Sequence, residues 1–301
     1  MNIGGYNGRR RKYVRGQYTG VIREFDAKTP GVRAMQIFIY VLCGIIALIC
    51  IFPIIWVFLA GFKDLREFMS STSILPRSFD FSRYVYTWER LRIYNNYLNS
   101  LYVVAVSVIS ALIFNGLMAY GLAILKPKGY KVLNALVMLS MLIPSTISIV
   151  PLFVNIQHLD MGGFFLPLWL AAGANTFFVV LFRQFFESFP KSIIEASRID
   201  GCSSLQIFSK IILPLSKPIC VVVAIYAING AWSDFLLPYL VLNGTKFETV
   251  MVRLYTYSTQ QTATADNMMR SVVFSMIPPI ILFFIFQKKL TTNIITSGIK
   301  E

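Results

Sequence analysis

The segment from Ala34 to Phe62 has the sequence AMQIFIYVLCGIIALICIFPIIWVFLAGF and contains no charged residue. A helix that crosses the hydrocarbon core of a bilayer needs about 20 mostly apolar residues. This segment exceeds that length, is too long for the apolar core of a signal peptide, and is followed by no clear cleavage site. We therefore predict an uncleaved membrane-spanning helix here.

Five more apolar segments follow. Three carry no acidic or basic residue, namely 93–125, 132–159 and 161–182, whereas 218–242 contains Asp234 and 271–287 contains a pair of prolines. The chain has 56% hydrophobic residues, 14% charged residues and a mean hydropathy of +0.63, which is not typical of a soluble domain. The sequence predicts an all-α membrane protein with six transmembrane helices in the plasma or inner membrane.

The basic residues predict the orientation of these helices. Nineteen of the 28 Lys and Arg fall in residues 1–33, 126–131, 183–217 and 288–301, and nine fall in 63–92 and 246–270. Because cytoplasmic loops are enriched in basic residues, both termini are predicted to be cytoplasmic. This gives a basic tail over 1–33, a transmembrane domain over 34–290 and a C-terminal tail over 291–301. The net charge of +14 then requires no nucleic-acid partner, although the Arg9–Lys12 cluster suits either orientation or contact with anionic lipid.

The residues that usually hold metals or cofactors form no site. The four cysteines contain no C-x-x-C pair, and His158 has no second ligand at metal spacing. The chain also lacks a G-x4-G-K-[ST] phosphate loop, so ATP and Mg²⁺ are expected on another subunit. We predict no catalytic residue, metal or cofactor in this chain, and no enzyme activity.

The segment 189–217, between the fourth and fifth predicted spans, has the pattern of two short helices. Ser192 and Glu195 have the spacing of a capping box, and Gly201 stands where a helix would end in a left-handed conformation. Ile193, Ile194, Ala196 and Ile199 are expected to supply its apolar face. A second helix is predicted to begin at Ser203 or Ser204 and to be broken by Pro214. Charge counting places this two-helix loop in the cytoplasm.

This loop resembles the E-A-A-x3-G-x9-I-x-L-P motif of permease subunits of binding-protein-dependent ABC importers. Ser197 in place of the second Ala is the one departure. The resemblance covers the chain from about Ile37 to Glu301 and is closest to the maltose-type members of the carbohydrate-uptake branch. It implies that the loop couples to an ATPase through Glu195, Ala196, Ser197, Asp200, Gly201, Ile211, Leu213 and Pro214. Without the resemblance, a role in capping the helix would be the better explanation of Glu195.

The resemblance also implies partners and a pathway. These are a second permease subunit, expected to be a different chain, two ATPase subunits and an extracellular solute-binding protein, with the tail at Gly298 and Lys300 contacting the ATPase. The aromatic segment 63–92 suits either contact with the binding protein or a position at the membrane surface. Candidate pathway residues are Asp234, Trp232 and Asn115. Asp234 suits either a cavity or the headgroup level, and Asn115 suits either sugar contact or hydrogen bonding between helices.

The cargo and the energy source leave two alternatives. The coupling motif faces the ATPase, so it does not distinguish a sugar or oligosaccharide from a non-sugar solute. An ion-coupled carrier would also have several spans, but it usually needs an intramembrane ion or proton relay, for which Asp234 stands alone.

Overall fold

The computed structural model describes residues 30–297, without the side chains of Ser145 and of residues 288–297. Within this range every regular element is a helix, which confirms the all-α prediction. In chain order the helices are α1 Pro30–Ala60, α2 Leu65–Ser70, α3 Ser82–Arg90, α4 Ile93–Leu125, α5 Tyr130–Ser140, α6 Ser145–His158, α7 Leu166–Gly173, α8 Thr176–Glu187, α9 Lys191–Ile199, α10 Ser204–Leu215, α11 Lys217–Ser233, α12 Leu236–Leu242, α13 Val250–Ser258 and α14 Ala265–Ser297.

The chain divides into two compact units between Trp56 and Val57. In the first unit, the described residues form the apolar part of α1, which reaches the bilayer length with only one internal proline, Pro53. The second unit contains the remaining helices and all of the residues discussed below. Residues 1–29 of the predicted basic tail lie outside the described residues. Gly298 and Lys300 also lie outside them.

Four helical segments are long and apolar enough to cross a membrane: α1, α4, Leu166–Glu187 and Ala265–Gln287. Helices α10 and α11 qualify as a fifth only when they are counted together, although an 82° bend separates them. The predicted third span consists of α5 and α6, which have 11 and 14 residues. Pro144 explains this break, because proline lacks an N–H group and restricts the preceding residue. Helix length therefore supports four or five spans, and six remains a prediction.

The main apolar core of the second unit lies where α4, α8, α10 and α11 meet. Its fully buried members include Phe182 of α8, Ile207 and Ile212 of α10, and Val223 of α11. Helix α4 contains two wide π-type turns, Ala111–Asn115 and Gly121–Leu125. Such turns displace side chains from the regular helical positions, and they often occur at functional sites.

Candidate functional site: the two-helix module and the bundle beside it

The turn between α9 and α10 is fixed by backbone hydrogen bonds. Cys202 donates its backbone N–H to Ser197 O at 3.0 Å, and Gly201 donates to Arg198 O at 3.1 Å. Gly201 has φ +79°, so the pair of bonds forms a Schellman motif with Asp200 as the C-cap. The left-handed conformation predicted for Gly201 is confirmed. A side chain here would be strained although the space around it is open.

Helix α9 starts earlier than the sequence pattern predicted. Its N-cap is Pro190, and no side chain caps its amides. The capping box predicted for Ser192 and Glu195 is therefore wrong. The fixed φ of Pro190, −61°, is already suitable for a helix start, so Ser192 lies inside the first turn.

The inner face of α9 consists of Ile194 and Ser197, which are buried. The hydroxyl of Ser197 donates to Ile193 O at 2.6 Å, so its one polar atom is satisfied within the helix. This explains how serine occupies a position where alanine is usual in the motif. The apolar face predicted for α9 is wrong at Ala196 and Ile199, because both are exposed, Ile199 to 87%.

Helix α10 begins where the sequence predicted. Ser203 accepts from the Gln206 N–H at 3.3 Å, and Gln206 Oε1 accepts from the Ser203 N–H at 2.8 Å, which completes a capping box. The helix end predicted at Pro214 is confirmed to within one residue, because α10 ends at Leu215 and an 82° bend separates it from α11. The π-type turn Phe208–Ile212 comes directly before Pro214, and its wide hydrogen-bond spacing accommodates a residue that has no N–H group.

Helix α10 is anchored in the bundle by residues that lie between and before its motif positions. Ile211 and Leu213 are half-buried, and Pro214 is exposed. Phe208 is buried, and its ring centroid lies 5.4 Å from that of Tyr120 in α4. The module formed by α9 and α10 is therefore packed into the end of α4 and does not hang from it as a mobile loop.

The outer surface of this module carries exposed apolar residues among polar and charged ones. Ala196 and Ile199 of α9 are exposed, and Leu205 of α10 is 65% exposed. Leaving large apolar side chains in water is unfavourable by roughly 25 cal/mol per Å². Exposed apolar patches of this kind usually mark an interaction surface.

A cavity of about 540 Å³ lies beside the module, where α4 and α8 end. Its charged lining residues are Lys126, Glu187, Lys191, Glu195 and Arg198. Glu195 is exposed and, among the described side chains, forms no ion pair. Its carboxylate is therefore available to a partner.

Asn115, one of the predicted pathway residues, is fully buried and bonded between helices. Its amide donates to Ala111 O at 2.9 Å and to Ala172 O at 3.0 Å, and its Oδ1 accepts from the Asn175 N–H at 2.9 Å. Asn175 in turn caps α8 by accepting from the Phe178 N–H at 3.2 Å. Of the two alternatives for Asn115, the structure favours hydrogen bonding between α4 and the break that separates α7 from α8.

The other two predicted pathway residues also have structural partners. Trp232 is buried, and its Nε1 donates to Ser275 O in α14 at 3.0 Å. Asp234 is half-buried in the break between α11 and α12, where its carboxylate interacts with the backbone amides of Phe235, Leu236 and Leu237. The three predicted pathway residues are not brought together in one site.

Sequence reasoning did not identify a buried polar network around Arg270. This residue is 3% exposed, and its guanidinium donates to Gly61 O at 2.7 Å and to Lys63 O at 2.9 Å. It also pairs with Asp266 at 3.0 Å. The one available signal was the position of Arg270 at the start of the last apolar segment with an acid four residues before it.

The network is completed by α3. Thr87 accepts from Arg270 at 3.2 Å, and Tyr84 donates its hydroxyl to Phe58 O at 2.8 Å. Burial raises the pKa of Tyr84 to about 12, so this hydroxyl keeps its proton at neutral pH. Arg270 and Tyr84 thus join the end of α1 and the segment after it to α3 and α14.

The fold and the module define the class of this protein: an all-helical, multi-pass membrane protein with an exposed two-helix module. The particular family is shown by comparison. Residues 112–296 match the family described as "Binding-protein-dependent transport system inner membrane component", and the chain belongs to it. It is a permease subunit of an ABC transporter in the plasma membrane, and ATP hydrolysis belongs to separate subunits. The resemblance of the E-A-A motif is confirmed.

Similar proteins support this assignment over most of the chain. The arabinooligosaccharides transport system permease protein AraQ of Halalkalibacterium halodurans is 30% identical over 259 residues, 85% of this chain and 93% of the relative. The probable starch degradation products transport system permease protein AmyC of Thermoanaerobacterium thermosulfurigenes is 29% identical over 261 residues, 85% and 94% of the two chains. A bacterial ABC transporter involved in the import of the acidic polysaccharide alginate contains a chain with a TM-score of 0.76 and 25% identity, covering 86% and 98%.

Proposed function

We propose that this chain forms half of the translocation pathway of an ATP-driven importer for a neutral sugar or oligosaccharide. In this proposal six spans cross the membrane, both termini are cytoplasmic, and the module of α9 and α10 couples the pathway to an ATPase. The chain itself binds no cofactor, because ATP and Mg²⁺ are bound by the partner ATPase subunits. A second permease and an extracellular solute-binding protein complete the complex.

The observation that carries the coupling role is the two-sided character of the module. Its inner face is anchored by Phe208 and Ile212, while its outer face leaves Ile199 and Leu205 uncovered beside the free carboxylate of Glu195. A partner that covers this outer face gains apolar contact and a charge partner at once. Movement of that partner is then transmitted to α4 through packed side chains.

The proposed cargo is based on the relatives. Their names describe transport of arabinooligosaccharides, starch degradation products and galactooligosaccharides. The likeness to the alginate importer leaves an acidic polysaccharide as the competing carbohydrate class. Among the described residues, the helical face proposed below to contact the cargo carries no basic side chain, which favours a neutral carbohydrate.

The coupling role is tested with Glu195→Lys and Gly201→Val in the assembled complex. We expect both variants to insert normally but to lose ATPase association or uptake, because one reverses a contact charge and the other strains the turn. Gly129→Val is the matched control, since Gly129 also has a positive φ, +86°, but lies outside the module. Glu89→Lys controls for the charge reversal at an exposed position.

The energy source is tested in vesicles that carry the whole complex. We expect uptake to require ATP and to survive collapse of the ion gradients. Gradient-driven uptake by this chain alone would establish an ion-coupled carrier instead. Wild-type uptake in both module variants would contradict the coupling role, and uptake of only non-sugar solutes would contradict the proposed cargo.

A further inference from the structure

One face of α11 is polar and uncovered. Four exposed residues lie on one side of this helix, because they follow one another at spacings of three, one and three residues. They are Tyr226, Asn229, Gly230 and Ser233. We call these four residues the α11 stripe. Among the described residues, none of its polar side chains makes a hydrogen bond, and a Cβ on Gly230 would meet only open space.

A helix surface that faces lipid is expected to be apolar, whereas the α11 stripe carries polar side chains without hydrogen-bond partners. Helix α4 provides the comparison in the same bundle: its polar residues Ser107 and Ser110 are buried, whereas Ile113 and Phe114 are exposed. Lipid tails offer no hydrogen bonds, so an unpaired amide or hydroxyl facing them costs several kcal/mol, roughly 2 or more. The α11 stripe therefore faces water or a polar molecule.

The α11 stripe has neighbours on two sides: Asn229 lines a groove of about 170 Å³ with Pro279 and Leu282 of α14, and Tyr226 lies beside a broken span. Tyr226 is 52% exposed, and its ring lies 5.6 Å from that of Phe177 at an angle of 86°. Phe177 belongs to the first turn of α8, directly after the break that Asn115 binds. Thr176 of the same turn shares a hydrogen bond of 2.9 Å with Ser140 at the end of α5. Discontinuous helices of this kind commonly surround the substrate site of transport proteins.

We propose that the α11 stripe is a carbohydrate-contacting surface of the translocation pathway, with Tyr226 and Phe177 as an aromatic platform and Asn229 and Ser233 as hydrogen-bonding groups. This assignment rests on the proposed function and names the residues that would contact the cargo. An exposed ring suits the apolar face of a sugar, and an amide beside a hydroxyl suits sugar hydroxyl groups. Residues 218–233 contain no charged side chain, so the surface selects by hydrogen bonding and shape.

The α11 stripe replaces the pathway residues predicted from sequence. Asn115 and Trp232 have hydrogen bonds within the bundle, and the Asp234 carboxylate lies near backbone amides of the next turn, while Asn229 and Ser233 have no hydrogen bond among the described residues. A group that is already bonded must give up its partner to bind a sugar, whereas an uncommitted group in a wet passage exchanges only water.

The first test measures water access and does not depend on the cargo. In a complex whose four native cysteines are replaced, Asn229→Cys and Ser233→Cys are treated with a charged, membrane-impermeant thiol reagent in the resting and nucleotide-trapped states. Because the thiolate is the reactive form, a thiol in a wet passage is labelled and one in lipid is not. Phe114→Cys, on the exposed apolar face of α4, is the control. No labelling at either stripe position in both states overturns the proposal.

The second test measures transport of radiolabelled arabinotriose, maltotriose and raffinose by the complete complex. We expect Asn229→Leu and Tyr226→Leu each to lower uptake by about tenfold, the loss expected from one or two unmade hydrogen bonds or a lost platform. Tyr226→Phe keeps the ring and is expected to lose less, and Phe114→Leu is expected to match the wild type. Uptake at the wild-type level in Asn229→Leu and Tyr226→Leu overturns the proposal.

Two other outcomes separate the possible failures. Loss of the second permease from purified Asn229→Leu complexes would make the α11 stripe a subunit contact and overturn the pathway assignment. If the wild-type complex transports none of the three sugars but does transport a non-sugar solute, the proposed function fails. Labelling of the Asn229→Cys variant would in that case still identify a wet passage, while the role of the α11 stripe in carbohydrate contact would be overturned.

Discussion

The ring of Phe208 in α10 lies against the backbone of Gly116 in α4, where a Cβ placed on the glycine would stand 3.5 Å from Cζ. The π-type turn Phe208–Ile212 directs this ring into the core, and the second π-type turn of α4 begins five residues after Gly116. The contact therefore joins the module directly to α4, a helix of 33 residues. In the proposed coupling mechanism, this contact carries movement of α9 and α10 to the bundle.

Phe208→Ala is predicted to weaken this connection. Removing a buried aromatic ring costs about 3–5 kcal/mol, because the cavity left behind closes only partly. We expect a lower Tm of the purified complex and less uptake per ATP hydrolysed. Leu215→Ala is the matched control in the same helix, since its side chain is exposed, it is not part of the proposed partner contact, and its loss should leave Tm unchanged. Wild-type values of both quantities in Phe208→Ala would contradict the proposed route.

Asn115→Leu is predicted to destabilise the bundle at the break between α7 and α8. The leucine leaves the Asn175 N–H and the Ala172 carbonyl without their partner, and each unsatisfied buried group costs about 1–3 kcal/mol. Thermal unfolding of the purified complex measures this loss. Asn95→Ala, an exposed asparagine near the start of α4, is expected to have a wild-type Tm. Equal Tm values for the two variants would show that the Asn115 bonds contribute nothing.

The sequence predicted those features of the module that depend on neighbouring residues. Gly201 ends α9 and Ser203 starts α10 because each signal acts within a few residues. Where two local signals competed, the wrong one was chosen. Pro190 started α9 ahead of Ser192, whereas the end predicted at Pro214 was right to within one residue.

The rest of the site depends on contacts between distant segments. Asn115 was assigned to the pathway because its residue type is unusual in a span, but its bonding partners lie 57 and 60 positions away. The α11 stripe has an ordinary composition, and only the burial of the opposite faces of α11 and α4 distinguishes it. Periodicity shows which residues share a face but does not show what that face meets.

Gly61→Ala is predicted to disturb the network around Arg270. A Cβ at this position would lie 2.7 Å from Cζ of Tyr84, which is closer than packed carbon atoms allow. Moving the tyrosine strains its hydroxyl bond to Phe58 O, and we expect a loss of stability of about 1–3 kcal/mol, as for other overpacked cores. Gly121→Ala is the control because its Cβ would meet nothing within 4 Å. A wild-type Tm in Gly61→Ala would contradict this account of the packing.

Arg270→Met is predicted to be among the most destabilising single substitutions in the second unit, because it leaves Asp266 buried without its charge partner. Breaking one side of a buried ion pair costs about 3–5 kcal/mol, whereas replacing both sides costs much less. The double variant with Asp266→Asn is therefore expected to have a higher Tm than Arg270→Met alone. The Tm of Arg270→Lys is expected to lie between the Tm of Arg270→Met and that of the wild type. A lysine keeps the charge, but it lacks the planar guanidinium that bonds to the carbonyl groups of Gly61 and Lys63 at once. Arg77→Met, at an exposed position, controls for loss of an arginine. Additive effects of Arg270→Met and Asp266→Asn would mean that the buried pair is not the source of the stability.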